Sequence, residues 1–580
     1  MDSPSAPQLS TARGASIAPW CFVVCTLLLF VLVGVFFGGD IGKTRDDYTW
    51  AVNDPATGAI AVADLWRLPL FWRPLSLVLV RHVVSLTWDA PAIANLLAAL
   101  SYLGLCVATW RWVRGLGFVL GAGAITALLL TLPMAFDVMH WPAAIPTALA
   151  GIIVVLVAHR VMRSPEREVR PWPLLGMACV VFAACCFNEQ AVACLGGVAL
   201  APMCANLPPR TRLRRSALLA LAIGVPSALY VLLVAVTSPS TNRGGVSTLL
   251  PLGDWFGRTA TVGEQTWSQL GGVHGRDLTL GGIEVGLASL GMLGFLVLAL
   301  AVLSGCFWAI RTPLVHASDD RPATGMVVPV GVGWFALGLV PFIVVKTGPI
   351  EARHVVLPAI GLLIACVAVL ELASRGLPVR VASVARRGAT CLAILIAGAG
   401  AVSLVGIQAT LKERYRLDLQ EARAIAELFP DPQPGAVILV ARSPWRAADT
   451  GRRQYDRRFW SAWQMDHIAT AVLRHQYGRD DIFAKHRFSM AFGVAAEDIS
   501  EQGWTTGLSD GPAWDGGKLP PSEIAWDRIL AVRFEPDGTA VPIDTLRFVR
   551  DRQVIDTIAL PSVGAASADA ELETFRVRIR

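Results

Sequence analysis

Apolar and polar residues are distributed along this chain in two regimes. Up to about residue 410, long and nearly unbroken apolar runs alternate with short polar stretches rich in arginine. A helix needs about 20 apolar residues to cross a hydrocarbon core. Eleven runs approach that length, near 17–38, 91–110, 116–135, 142–159, 171–187, 190–206, 216–237, 284–309, 326–345, 355–373 and 389–409. The first is too long for the apolar core of a secretory signal and lacks a small-residue cleavage site, so it reads as a retained span. Beyond residue 410 the long runs stop and charges become frequent. The pattern there predicts a helix through Leu428 that Pro430, Pro432 and Pro434 end. A buried strand over 436–440, an amphipathic helix over 460–476 and a strand pair at 529–534 and 545–549 around a Pro-Asp-Gly turn follow. The pattern thus divides the chain into a transmembrane domain, 1–410, and a compact α/β domain, 411–580. No repeat of fixed period is visible, which argues against a solenoid.

Composition fits this division. Hydrophobic residues make up 54% of the chain and charged residues 16%, outside the range of soluble domains. The fold class expected is an α-helical multi-pass membrane protein of about eleven spans with a carboxyl-terminal extracytoplasmic α/β domain. Orientation follows from the basic residues. Arg111 and Arg114, Arg160 to Arg170, Arg210 to Arg215, and Arg375 to Arg387 fall in alternate loops, which the positive-inside rule assigns to the cytoplasm. The amino terminus is then inside, and eleven crossings leave the carboxyl terminus outside, in a periplasmic or extracellular space. The net charge of +6 reflects these arginines rather than nucleic-acid binding. The eleven cysteines all lie in or beside apolar runs, where free thiols pack as small hydrophobes, and they suggest no disulfide framework.

Two outward segments are too long to be turns. The first, about 39–90, contains an apolar run over 75–85 that is too short to span and suits a helix lying at the interface. The second, about 238–283, is rich in Gly, Thr and Trp. Tryptophans such as Trp72, Trp141 and Trp267 near the outer interface fit an aromatic belt, with sugar stacking as the sharper alternative. The first segment also carries Asp46-Asp47-Tyr48. Two carboxylates at the mouth of a helix bundle point to a functional site, against the bland reading of a solvated loop.

Four segments together resemble the membrane glycosyltransferases of the GT-C fold, in the branch of the protein O-mannosyltransferases and their bacterial relatives. They are Asp46-Asp47-Tyr48; Phe71-Trp72-Arg73-Pro74 running through Asn95-Leu96-Leu97 to Trp110-Arg111; Pro133 to Trp141, with Asp137 and His140; and Glu351-Ala352-Arg353-His354 followed by Leu357-Pro358. The resemblance covers most of the first 410 residues. There are departures: the third segment lacks the family's glutamate, and Asn188-Glu189-Gln190 stands where relatives often have Lys-Glu. The resemblance implies a polyprenyl-phosphate sugar as donor, a glycan, lipid or protein as acceptor, and a bacterial inner-membrane location. It places Arg353, His354, Lys346, Arg73, His140 and Glu189 in substrate binding.

The chemistry of the residues runs alongside. Glycosyl transfer to a hydroxyl needs a base as the anomeric bond breaks, and Asp46 or Asp47 is the candidate. Adjacent carboxylates repel, which raises the pKa of one of them unless the pair is neutralised by arginine or a divalent ion. Oxygen ligands favour magnesium or manganese, although two residues alone make no metal site. No Gly-rich phosphate loop or dinucleotide fingerprint occurs, which disfavours a nucleotide-sugar donor. A lipid phosphate leaving group needs a cation at the outer interface, and Arg353 fits, with Lys346 or His354 near it and Arg73 as a second candidate. The plain alternative is that Arg353 snorkels or pairs with Glu351. Two other classes compete: a transporter or flippase of a lipid-linked or polar solute, and a non-catalytic assembly protein on the same scaffold.

Overall fold

The computed structural model describes residues 9–39, 41–42, 73–87, 89–163, 171–205, 207–237, 250–313, 324–344 and 350–442, and, in the carboxyl-terminal part, 451–452, 455, 463, 466–479, 481–486, 497–500, 503–505, 523–535, 539–550, 553–560, 568–573 and 577–579. Asp46, Asp47, Lys346 and Trp72 lie outside the described residues.

Every one of the eleven apolar runs contains helix. Among the described residues, eight helices are long and apolar enough to cross a membrane: Ala18–Phe36, Pro91–Gly115, Pro142–Arg163, Pro209–Leu233, Gly291–Arg311, Thr324–Val344, Ala352–Arg375 and the apolar part of Val379–Leu428. A ninth is broken, Val119–Leu130 and Pro133–His140 meeting at 58°. Pro133 supplies no N–H to the preceding turn, and the chain bends there. The last two runs form shorter apolar helices, Pro171–Phe187 and Glu189–Cys204, the second turning 3-10 after Cys194. The 75–85 run is the helix Pro74–Leu86, with Pro74 in its first turn, where no N–H is needed. The 238–283 segment adds Trp255–Leu270 and Val273–Ser289.

Without a hydrophobic force between helices in lipid, tight packing relies on small residues. Val273–Ser289 lies against Val379–Leu428 through Gly282, Gly286 and Gly406. A Cβ on Gly406 would fall 2.0 Å from the Gly282 carbonyl oxygen, and one on Gly286 2.0 Å from that of Val402. Backbone meets backbone there, so nothing can rotate away. Gly406→Ala should therefore destabilise the protein by about 1–3 kcal/mol, read as a lowered thermal midpoint in detergent. Gly388→Ala on the same helix, where a Cβ meets nothing within 4 Å, should leave the midpoint unchanged or raise it.

Val379–Leu428 is one helix of 50 residues that runs unbroken past residue 410 into the carboxyl-terminal part. Three prolines follow it, as the sequence predicts. There β1 (Val437–Arg442), β2 (Phe483–His486), β3 (Glu497–Ser500), β4 (Gly503–Thr505), β5 (Glu523–Ala525), β6 (Ile529–Phe534), β7 (Ala540–Arg550), β8 (Gln553–Ala559), β9 (Ala568–Glu573) and β10 (Val577–Ile579) form two sheets. The larger has the order β2-β1-β6-β7-β8, with β9 parallel to β7, and the smaller β10-β3-β4-β5. β1 is parallel to both neighbours, and the helix Asp466–Tyr477, which overlaps the expected 460–476 segment, makes the crossover from β1 to β2. The expected strand pair is β6 with β7, antiparallel. The unbroken run Val437-Ile438-Leu439-Val440 follows from burial on both faces: Ile438 and Val440 pack with Val472 and with Ile425 of the long helix, while Val437 and Leu439 pack with Ile524 and Leu546.

Candidate functional site

The site is assembled at three helix starts. Arg73 is the residue before the Pro74–Leu86 helix. Glu189 opens the Glu189–Cys194 helix, whose start is fixed by Asn188: its side-chain oxygen accepts from the Gln190 amide at 3.0 Å, and its Nδ2 donates to Thr147 at 2.8 Å. Glu351 precedes the Ala352–Arg375 helix and forms a reciprocal cap with His354, whose Nδ1 accepts from the Glu351 amide at 3.1 Å.

Arg73 and Glu189 pair in fork geometry. Arg73 Nε donates to Glu189 Oε2 at 2.7 Å, and Nη2 donates to Oε1. The Tyr230 hydroxyl also meets the guanidinium. Burial works against the charge on Arg73, but Glu189 and Tyr230 outweigh it and hold its pKa above the usual range. The pair is surrounded by protein yet keeps 32% and 36% of its side-chain surface accessible, so it faces an opening.

Arg353 Nη2 lies 3.0 Å from Glu351 Oε2, and its guanidinium sits over the Trp141 ring at 4.6 Å. With Nδ1 of His354 accepting, Nε2 carries the proton, and the 3.4 Å approach of Arg353 Nε to it is a contact. Gln190 donates to the His354 carbonyl and ties the Glu189 helix to the Ala352–Arg375 helix. His354 thus feels all four charges: Arg353, Glu351, Arg73 and Glu189.

Arg73, Glu189, Arg353 and His354 therefore come together, although they are far apart in sequence. His140 is not among them. It is 2% exposed, its Nε2 meets Gln408, and its ring covers Gly38, where a Cβ would fall 2.5 Å from Cε1. Toward the acidic pair, the chain is described as far as Gly42. The Gly42 carbonyl accepts from Asn95 at 3.2 Å, its φ is +85°, and a Cβ would strike the Tyr415 ring. Tyr230 is the residue that sequence reasoning missed. A phenol inside an apolar run needs a polar partner, and that was the available signal. Among the described residues no group of three or more His, Cys, Asp or Glu is placed to hold a metal ion.

The site sits at one end of the bundle. Ala352–Arg375 carries Arg353 in its first turn and ends on Arg375, about 33 Å away along the axis. The Ile145–Arg163 helix begins just past Trp141 and ends on Arg160 and Arg163. The Pro209–Thr237 helix opens with four arginines and carries Tyr230 toward its other end. The charged cluster is thus opposite the arginine-rich ends.

No family model matches the chain. No curated protein matches it either. Among solved structures, it superposes on ArnT from Cupriavidus metallidurans bound to undecaprenyl phosphate, with 15% identity over 80% of this chain and 85% of that one, at a TM-score of 0.41. The same protein in the apo state gives 13% identity over 90% and 93%, at a TM-score of 0.38. Superpositions this loose carry no functional argument.

Proposed function

We propose that the chain is a GT-C glycosyltransferase of the bacterial inner membrane. It moves a sugar from a polyprenyl-phosphate carrier to an acceptor on the side opposite the arginine-rich loops. The carrying observation is the convergence of Arg73 and Arg353, from segments 280 residues apart in sequence, at one accessible end of the bundle with Glu189, Tyr230 and His354 around them. Paired guanidinium forks match phosphate oxygens and stabilise a departing phosphate. Asp46 or Asp47 serves as base in this reading, on a segment whose root is held by Asn95 at Gly42. The α/β part beyond residue 410 then stands on the outer side. The test is transfer of radiolabelled sugar from a purified polyprenyl-phosphate donor to membrane acceptors, compared with the same label offered on a nucleotide. Transfer from the nucleotide alone would reject the reading.

A flippase remains the second reading, favoured by the 58° break in the ninth span and by Asp137 and His140, which are buried beside that break. Movement of labelled carrier across vesicles without sugar transfer would select it.

A further inference from the structure

Each arginine of the site already holds a carboxylate. Arg73 pairs with Glu189 and Arg353 with Glu351, so a carrier phosphate that reaches either guanidinium meets one already paired. The two pairs differ in kind. Glu189 occupies the Nε and Nη2 edge of Arg73 with both of its oxygens, which is the edge a phosphate would take in fork geometry. Two anions cannot share that edge. Glu351 approaches Arg353 through one nitrogen and is also committed to the helix cap with His354, so its carboxylate is held in place. Arg353 in turn keeps the face that rests on Trp141.

We infer that Glu189 is an exchangeable counter-ion. It holds Arg73 in position while no carrier is bound and yields that edge when the carrier phosphate enters. After transfer it competes for the edge again and helps expel the spent carrier. The partial accessibility of both side chains leaves room for the exchange without unfolding the surrounding helices. The inference rests on the proposed reading that Arg73 receives a lipid phosphate, and it assigns Glu189 a role in affinity and release rather than in the chemical step.

The test uses the full chain in phosphatidylcholine nanodiscs, with undecaprenyl phosphate as probe and undecaprenol as control. Wild type should prefer the phosphate. Glu189→Gln should bind it about three- to fivefold tighter, the range open to an accessible ion pair, while Glu351→Gln should bind it no tighter than wild type. Equal or weaker binding by Glu189→Gln, with wild type still preferring the phosphate, overturns the exchange and leaves the proposed function standing. Equal tightening by Glu351→Gln also overturns it, because the effect would then be one of general charge. A folded wild type with no preference for the phosphate removes the proposed function and the exchange with it. If Glu189→Gln does not fold, Glu189→Asp is read the same way, since it keeps the charge but cannot reach both nitrogens: tighter than wild type supports exchange, and equal or weaker overturns it.

Discussion

Arg73→Ala is expected to lower sugar transfer by about 10²–10³-fold, the scale of losing one preorganised donor to developing charge. The guanidinium is fixed from two sides, by the Glu189 fork and the Tyr230 hydroxyl, so its position does not depend on a ligand. Truncation alone would leave Glu189 without its main partner in protein surroundings, and instability could imitate lost chemistry. Arg73→Ala combined with Glu189→Gln keeps the site neutral and should fold as wild type while staying inactive. Arg73→Lys keeps the charge but loses the fork, and its kcat/KM should fall between the two. Retention of a tenth or more of wild-type kcat/KM by the folded double variant would move the phosphate site elsewhere.

A loss of similar or larger size is expected at the acidic pair. Asp46→Asn or Asp47→Asn should reduce transfer by about 10²–10⁴-fold, the usual contribution of a general base. The isosteric amide keeps size and polarity, so insertion and folding should be intact, and donor binding should change little because the phosphate cluster is untouched. The assay is single-turnover transfer with preloaded labelled donor, beside a thermal melt of each variant. Full activity in both single variants would remove the base assignment.

The membrane part was legible because hydropathy is a local property: each apolar run carries its own signal, and all eleven are found as helix. What hydropathy could not reveal was interruption. The break at Pro133 comes from a missing N–H, which hydropathy does not register, and both it and the 3-10 turn after Cys194 sit inside runs that read as continuous. The buried strand at Val437 was readable from its unbroken apolar run, whereas β3, β4, β5 and β10 are three or four residues long, too short to carry a pattern. In the site, Arg73, Glu189, Arg353 and His354 stood out as charged or ionisable groups near the ends of apolar runs. Their partners did not, because pairing is a property of space: nothing in residues 73 and 189 taken separately announces a fork. Tyr230 was hidden for a different reason, since one phenol in a lipid-length run looks like packing. His140 drew notice as an ionisable group, and its enclosure by Gly38 and Gln408 became visible only in three dimensions.

The glycine contacts of the membrane bundle and the hydrophobic core of the α/β part share one uninterrupted rod. Gly406 touches the neighbouring helix near its middle, and Ala422 and Ile425 enter the second core about 24–29 Å farther along. Adding or deleting a single residue between them would swing everything downstream by about 100° and slide it by about 1.5 Å. Gly406 would keep its neighbour and Ala422 and Ile425 would keep theirs, while the two parts turned against one another. The angular setting of the carboxyl-terminal part is therefore quantised, and length changes during divergence would be tolerated in the loops but not in this stretch of helix.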